Sequence, residues 1–344
     1  MSTDNETLVL EGAVSPAANT SLFGHPAAEE FLARSYQSGK GHHAILIEGP
    51  EGIGKATLAF RFANHVLAHP RPTEAPEMLG DPDPSAPAYR QIVAGASHNL
   101  LHITRPFDAK SGKFRTAITV DEVRKAGKFF SQTSGTESWR IVVVDPADDM
   151  NRNAANAILK MLEEPPRRSM FLVLSHAPGR LLPTIRSRCM PLVLRPLGDD
   201  DLRSALQNLG LSIAPAIEAK LMTAAGGSVA QAIKLVNYGG LDILEAFDGV
   251  LSASGPEQRK AMHKIADAVA ARGNDTLYGF FIDHAGEHVA AAANRAARDG
   301  DIDRAFRLSN LHATITERAT VADAYNLDRK QTVISLLGDL AAAS

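Results

Sequence analysis

The sequence predicts an α/β protein: a parallel β-sheet with helices on its faces, then a small helical domain and an all-helical C-terminal domain. Three observations predict it. From Ala44 onward, short continuous apolar runs alternate with helical patterns; a glycine-rich loop follows the first of those runs; and after Leu197 strand-like runs give way to alanine-rich segments with helical spacing. Strands covered on both faces read as unbroken apolar runs, which is the signature of a central parallel sheet.

The elements follow in order. The strand candidates are AILIE (44–48), LLHIT (100–104), RIVVVD (140–145), MFLVLS (170–175) and MPLVLR (190–195). Between them, one helix opens at the glycine-rich loop and a second lies near 119–131. A third runs from about Asn153 until Pro165-Pro166 stops it, because proline lacks the amide donor a helix needs. Residues 68–88 are crowded with proline and have no period, so an extended surface insertion is expected there. Gly226-Gly227, Gly239-Gly240 and the stretch SASGPE (252–257) punctuate the helical part. At 344 residues the chain is too long for one ordinary core. The resulting partition is a flexible N-terminus (1–20), an α/β domain (21–196), a helical lid domain (197–240) and a helical C-terminal domain (250–344).

Composition narrows the function classes. The chain is 44% hydrophobic and 22% charged, with a formal charge of -3. It has no global pull toward nucleic acid or anionic membrane, so any polyanion contact must come from a local patch. Cys189 is the only cysteine, which excludes an intramolecular disulfide and a cysteine-based zinc cluster. No apolar stretch approaches the ~18 residues that span a bilayer. The first twenty residues contain no Lys or Arg and read neither as a secretory signal nor as a transit peptide. A cytoplasmic protein without membrane contact is expected.

GPEGIGKAT (49–57) carries the chemistry. Gly49, Gly52 and Gly54 let the backbone turn tightly and aim its N–H groups inward, where they and the following helix N-terminus can hold phosphates. Lys55 would reach the terminal phosphates. Ala56 stands where the hydroxyl that ligates Mg²⁺ belongs. Thr57 comes one residue later, and one helical step turns a side chain by about 100°, so it does not replace that hydroxyl. RIVVVD supplies a strand-terminal carboxylate, Asp145, but the next residue is Pro146, which cannot orient a water. Asp148 and Asp149 read as caps of the next helix or as solvent-facing groups. The parts that hold phosphate are present, and those that support Mg²⁺-dependent hydrolysis are missing.

The segment 148–194, above all NAILKMLEEPP (156–166) and TIRSRC (184–189), resembles the signature of clamp-loader subunits of bacterial DNA polymerase III, which are AAA+ proteins. With LFGHPAAEEFLARSYQSGKGHHAILIEGP (22–50) in front, the resemblance spans nearly the whole chain after its first twenty residues. Within the family it is closer to delta-prime than to the gamma/tau ATPase. Pro146 falls where gamma/tau carries a catalytic glutamate, and Ala230 falls where it carries an arginine that senses the γ-phosphate. The four-cysteine zinc module of many members has no counterpart near 68–88, so no zinc is expected.

The resemblance implies an AAA+ P-loop domain, a lid and a C-terminal collar through which subunits form a ring. It implies a subunit that does not hydrolyse ATP, whose loop is a degenerate nucleotide site of Gly49, Gly52, Gly54, Lys55, Ala56, Thr57 and Asp145, with ATP allowed there but no metal. Arg188 of the SRC motif would act as an arginine finger on ATP bound by a neighbouring subunit. The implied partners are the gamma/tau and delta subunits, and through the complex the sliding clamp and primed DNA. The chain would then be part of the DNA polymerase III holoenzyme rather than an ATPase by itself. Two alternatives stay open: an autonomous ATPase using Thr57 with Asp148 or Asp149, and a scaffold in which ATP is purely structural.

Plainer readings stand beside these. Arg188 could be a surface ion pair, and Cys189 reads as a small buried residue rather than a nucleophile. Lys160, Glu163 and Glu164 could form ordinary helix-surface pairs. Arg167, Arg168, Arg180 and Arg186 could be solvated or could face DNA or a partner. His284 and His288 share a helix face without an HExxH motif, which argues against a metal site.

Overall fold

The computed structural model describes residues 9–108, 113–131, 138–325 and 327–343; the first eight residues of the expected flexible N-terminus lie outside them. The chain divides into two compact units, Met1–Gln231 and Ala232–Ser344.

In the first unit, helix α1 (Pro26–Gln37) precedes strand β1 (Ala44–Glu48), and helix α2 (Lys55–Ala68) follows the glycine-rich loop. Then come α3 (Pro87–Val93), β2 (Leu100–Ile103), a hairpin of β3 (Phe107–Asp108) and β4 (Lys113–Phe114), α4 (Val120–Ser131), β5 (Arg140–Val144), α5 (Arg152–Glu163), β6 (Ser169–Ser175), α6 (Pro183–Arg186) and β7 (Met190–Val193). The five main strands form a parallel sheet in the order β2-β5-β6-β1-β7. Every expected strand is present, most of them one or two residues shorter than the apolar run; the antiparallel hairpin had no sequence signal.

Alternation along the strands splits the core in two. Ile45, Ile47, Ile141, Val143, Leu172 and Leu174 join α1 and α2 on one face. Leu46, Val142, Val144, Phe171 and Val173 join α4 and α5 on the other. This two-faced burial is why the strands read as continuous apolar runs.

The proline-rich stretch 68–88 is more than a surface excursion. Ala75 and Leu79 are buried in the core, and the backbone is tied down by Trp139 Nε1 donating to Pro70 O at 3.1 Å, the Tyr36 hydroxyl to His69 O at 2.6 Å and Gln37 Nε2 to Ala75 O at 3.0 Å. Its proline spacing hid two apolar anchors. Arg61, buried on α2, joins it to the start of the chain: Nε pairs with Glu29 at 2.9 Å, and Nη1 reaches Asp81 at 2.9 Å and the carbonyl of Thr20.

The expected lid span contains α7 (Asp199–Asn208), α8 (Pro215–Ala225) and α9 (Val229–Asn237), of which α7 and α8 belong to the first unit. The second unit consists of helices. It comprises α10 (Gly240–Ser252), α11 (Gly255–Val269), the long pair α12 (Asp275–Arg298) and α13 (Ile302–Ala324), which pack along each other, and α14 (Arg329–Ala343). Its core holds Phe247, Phe280, Phe281, Leu336 and Leu337. Among the described residues, no helix is long and apolar enough to cross a membrane.

Candidate functional site: a self-occupied phosphate loop

The loop leaves β1 at its C-terminal end and enters α2 at Lys55, as the sequence predicts. Gly49, Gly52 and Gly54 all have positive φ, at 147°, 75° and 105°. At Gly49 and Gly52 space forbids a side chain as well. A Cβ on Gly49 would lie 2.6 Å from Leu194 O, and one on Gly52 would overlap Ser228 Oγ and lie 2.5 Å from Ala230 Cβ.

That crowding shows what covers the loop. The turn before α9 closes onto it: Val229 N donates to Gly52 O at 2.9 Å and Ser228 Oγ to Glu51 O at 2.8 Å. Ala230, at the position expected to lack a γ-phosphate sensor, rests against the loop backbone instead.

Lys55 is turned inward. Only 4% exposed, its Nζ donates to Gly49 O at 2.6 Å and Pro50 O at 2.5 Å. Desolvation by burial pulls its pKa down to about 8, against the opposing pull of the carboxylates of Asp145, Glu51 and Asp148. The ammonium that would meet a phosphate already holds the loop's own carbonyls. Ala56 packs against the core and Thr57 is buried.

Around the loop, Asp145 directly follows β5, with its Oδ2 3.5 Å from His102 Nε2, a separation without a hydrogen bond. Asp148 corrects the sequence reading. It does not cap α5, whose cap is Asn151, with its side chain accepting from Ala154 N at 2.9 Å. Asp148 instead accepts from Ser175 Oγ at 2.9 Å, His176 N at 2.7 Å and Ala177 N at 3.1 Å, fastening the end of β6. Asp149 pairs with Arg105 at 3.0 Å; burial raises its pKa, and Arg105 opposes the shift. His176, beside Lys55, has its pKa lowered, first by burial and then by that cation. The sequence did not single out His176 or Ser228; both are ordinary polar residues whose only signal is their distant packing partners.

Arg188 lies apart from the loop, just beyond α6. Its Nη2 sits 2.5 Å from Glu163 Oε1, and its Nη1 donates to Thr184 O at 2.9 Å. Cys189 is buried, and burial pushes its thiol up to about 11, so it is inert at neutral pH. Arg167, Arg168, Arg180 and Arg186 are all exposed. His284 and His288 flank the Phe247 ring at 4.9 and 5.4 Å, and burial lowers the pKa of both.

A parallel α/β domain with a glycine-rich loop after its first strand, an SRC arginine just before its last strand and helices behind it defines the class. Residues 24–198 match the family model described as "DNA polymerase III, delta subunit", and the chain belongs to that family. It is 40% identical over 148 residues to DNA polymerase III subunit delta' of Pseudomonas aeruginosa, covering 43% of this chain and 42% of that one. It is 31% identical over 167 residues to the delta' of Escherichia coli, covering 48% and 46%. DNA polymerase III subunit gamma/tau of Mycobacterium bovis is 26% identical over 277 residues, 77% of this chain and 45% of that one. The matches thus span about half the length of these curated relatives.

Proposed function

We propose that this chain is a delta-prime-like, non-hydrolysing subunit of a DNA polymerase III clamp loader, helping to load a sliding clamp on primed DNA in the cytoplasm. In this reading its partners are gamma/tau and delta subunits, and Arg188 acts as an arginine finger on ATP held by a neighbour. The observation that carries the reading is the self-occupied loop. Lys55 is bound to Gly49 and Pro50 carbonyls, and Ser228, Val229 and Ala230 sit on the loop. Ala56 stands in place of a metal-binding hydroxyl, and Pro146, which cannot orient a water, follows Asp145. The higher identity to delta' than to gamma/tau supports the same side of the family.

Arg188 suits the role because it stands two residues beyond α6 and is held by a partly exposed ion pair and one backbone carbonyl. A planar, permanently charged fork can leave such a pair for the charge that develops on a transferring phosphoryl group. The experiment has two arms. The purified chain should show no ATP turnover; turnover that Lys55→Ala abolishes would establish an autonomous ATPase instead. In a complex reconstituted with gamma/tau and delta subunits, Arg188→Ala should lower ATP turnover at the served site by about 10³-fold, and unchanged turnover would sink the finger role. The scaffold reading, with ATP purely structural, requires nucleotide to displace both the Lys55 contacts and the lid turn. Equilibrium binding of ATP to the purified chain that proves tight and independent of Mg²⁺ would favour it.

A further inference from the structure

We infer that Glu163 is a counter-ion that parks Arg188 against its own subunit until a neighbour presents nucleotide phosphate; this rests on the finger reading above. Both terminal nitrogens of the guanidinium are engaged within the chain, Nη2 by Glu163 Oε1 at 2.5 Å and Nη1 by Thr184 O at 2.9 Å.

The fold fixes both partners. Glu163 is the last residue of α5, just before Pro165-Pro166, and Arg188 follows α6 by two residues. The two helices pack on one core through Ile158, Leu162 and Ile185, together with Leu181 and Cys189 on either side of α6. Carboxylate and guanidinium are therefore brought together by buried neighbours on both sides, not by two free side chains meeting at a surface.

The pair is built to exchange. Its side chains are 33% and 48% exposed, so solvent screens it and keeps it weak. A nucleotide phosphate offers the same fork more negative charge and more acceptor oxygens. The phosphate replaces Glu163 rather than adding to it, and Thr184 O remains as a pivot. Glu163 is thus a positioning residue: it holds the finger at a defined starting point and sets the cost of extending it.

The test is steady-state ATP turnover by the complex reconstituted with gamma/tau and delta subunits. Glu163→Gln, which keeps the shape and removes the charge, should raise kcat/KM for ATP by about two- to fivefold. Glu164→Gln, which removes the adjacent exposed carboxylate, should leave it unchanged. In the Arg188→Ala background Glu163→Gln should have no effect, because both changes act on one group. If Arg188→Ala lowers turnover while Glu163→Gln does not raise kcat/KM, or raises it no more than Glu164→Gln does, the counter-ion role is overturned and the finger stands. If Arg188→Ala has no effect, both are overturned.

Discussion

Lys55 shows how one residue can keep a motif and change its use. With its pKa near 8 in the folded chain and 10.5 as an ordinary lysine, the unfolded state binds the extra proton between those values. Folding stability contributed by this residue therefore rises with pH from about 8 to about 10.5. Measured by urea unfolding against Lys55→Met, the unaltered chain should gain on the order of 3 kcal/mol across that window; parallel pH curves would refute the buried ammonium. Gly52 makes a second case. Its φ of 75° and the overlap a Cβ would have with the lid turn predict a loss of about 2 kcal/mol or more for Gly52→Ala. Gly179→Ala, with open space around it, should stay within about 0.5 kcal/mol in the same thermal-unfolding series. The glycines were legible in the sequence because backbone chirality is a local property. The direction of the Lys55 ammonium was not, because the same lysine can reach either a phosphate or the loop's own carbonyls.

At the scale of elements, a few buried polar groups join segments that hydrophobic pattern alone would leave loose. Arg61 ties α1, the chain before it and the 68–88 insertion to α2. Arg61→Ala strands Glu29, which is 14% exposed, without its cation. A loss of about 3 kcal/mol is expected, together with faster proteolysis within 68–88. Equal cleavage rates for variant and unaltered chain would show that Ala75, Leu79 and the Trp139 bond hold the insertion unaided. Asp148 works similarly where β6 ends, as three donors from Ser175, His176 and Ala177 converge on one carboxylate. Neither role has a periodic signature. Charged residues near a turn read as caps or solvated groups, and only packing shows otherwise.

For the whole molecule, the consequence is a glycine-rich loop covered by a distant segment of its own chain. Ser228 and Glu51, joined by a hydrogen bond, are separated by 177 residues. With the phosphate seat filled by the chain itself, millimolar ATP should leave the unfolding midpoint of the purified protein unchanged with or without Mg²⁺, since only a ligand that binds the native state raises it. A midpoint that climbs with ATP would show that the lid gives way readily.

The strands, the glycine loop, the helix stop at Pro165-Pro166 and the missing hydroxyl at Ala56 were all determined by the sequence alone. Each depends on residue type, spacing or side-chain period, which act over a few neighbours. Only the tertiary structure decided that Lys55 folds back on its loop, that Ser228 to Ala230 lie over it, that Asp148 fastens β6 and that Glu163 holds Arg188. The Lys55 bonds span five and six positions, and the others join residues tens of positions apart or more, up to 177. The close packing of the core sets them, and no local pattern encodes where a polar side chain will find its partner.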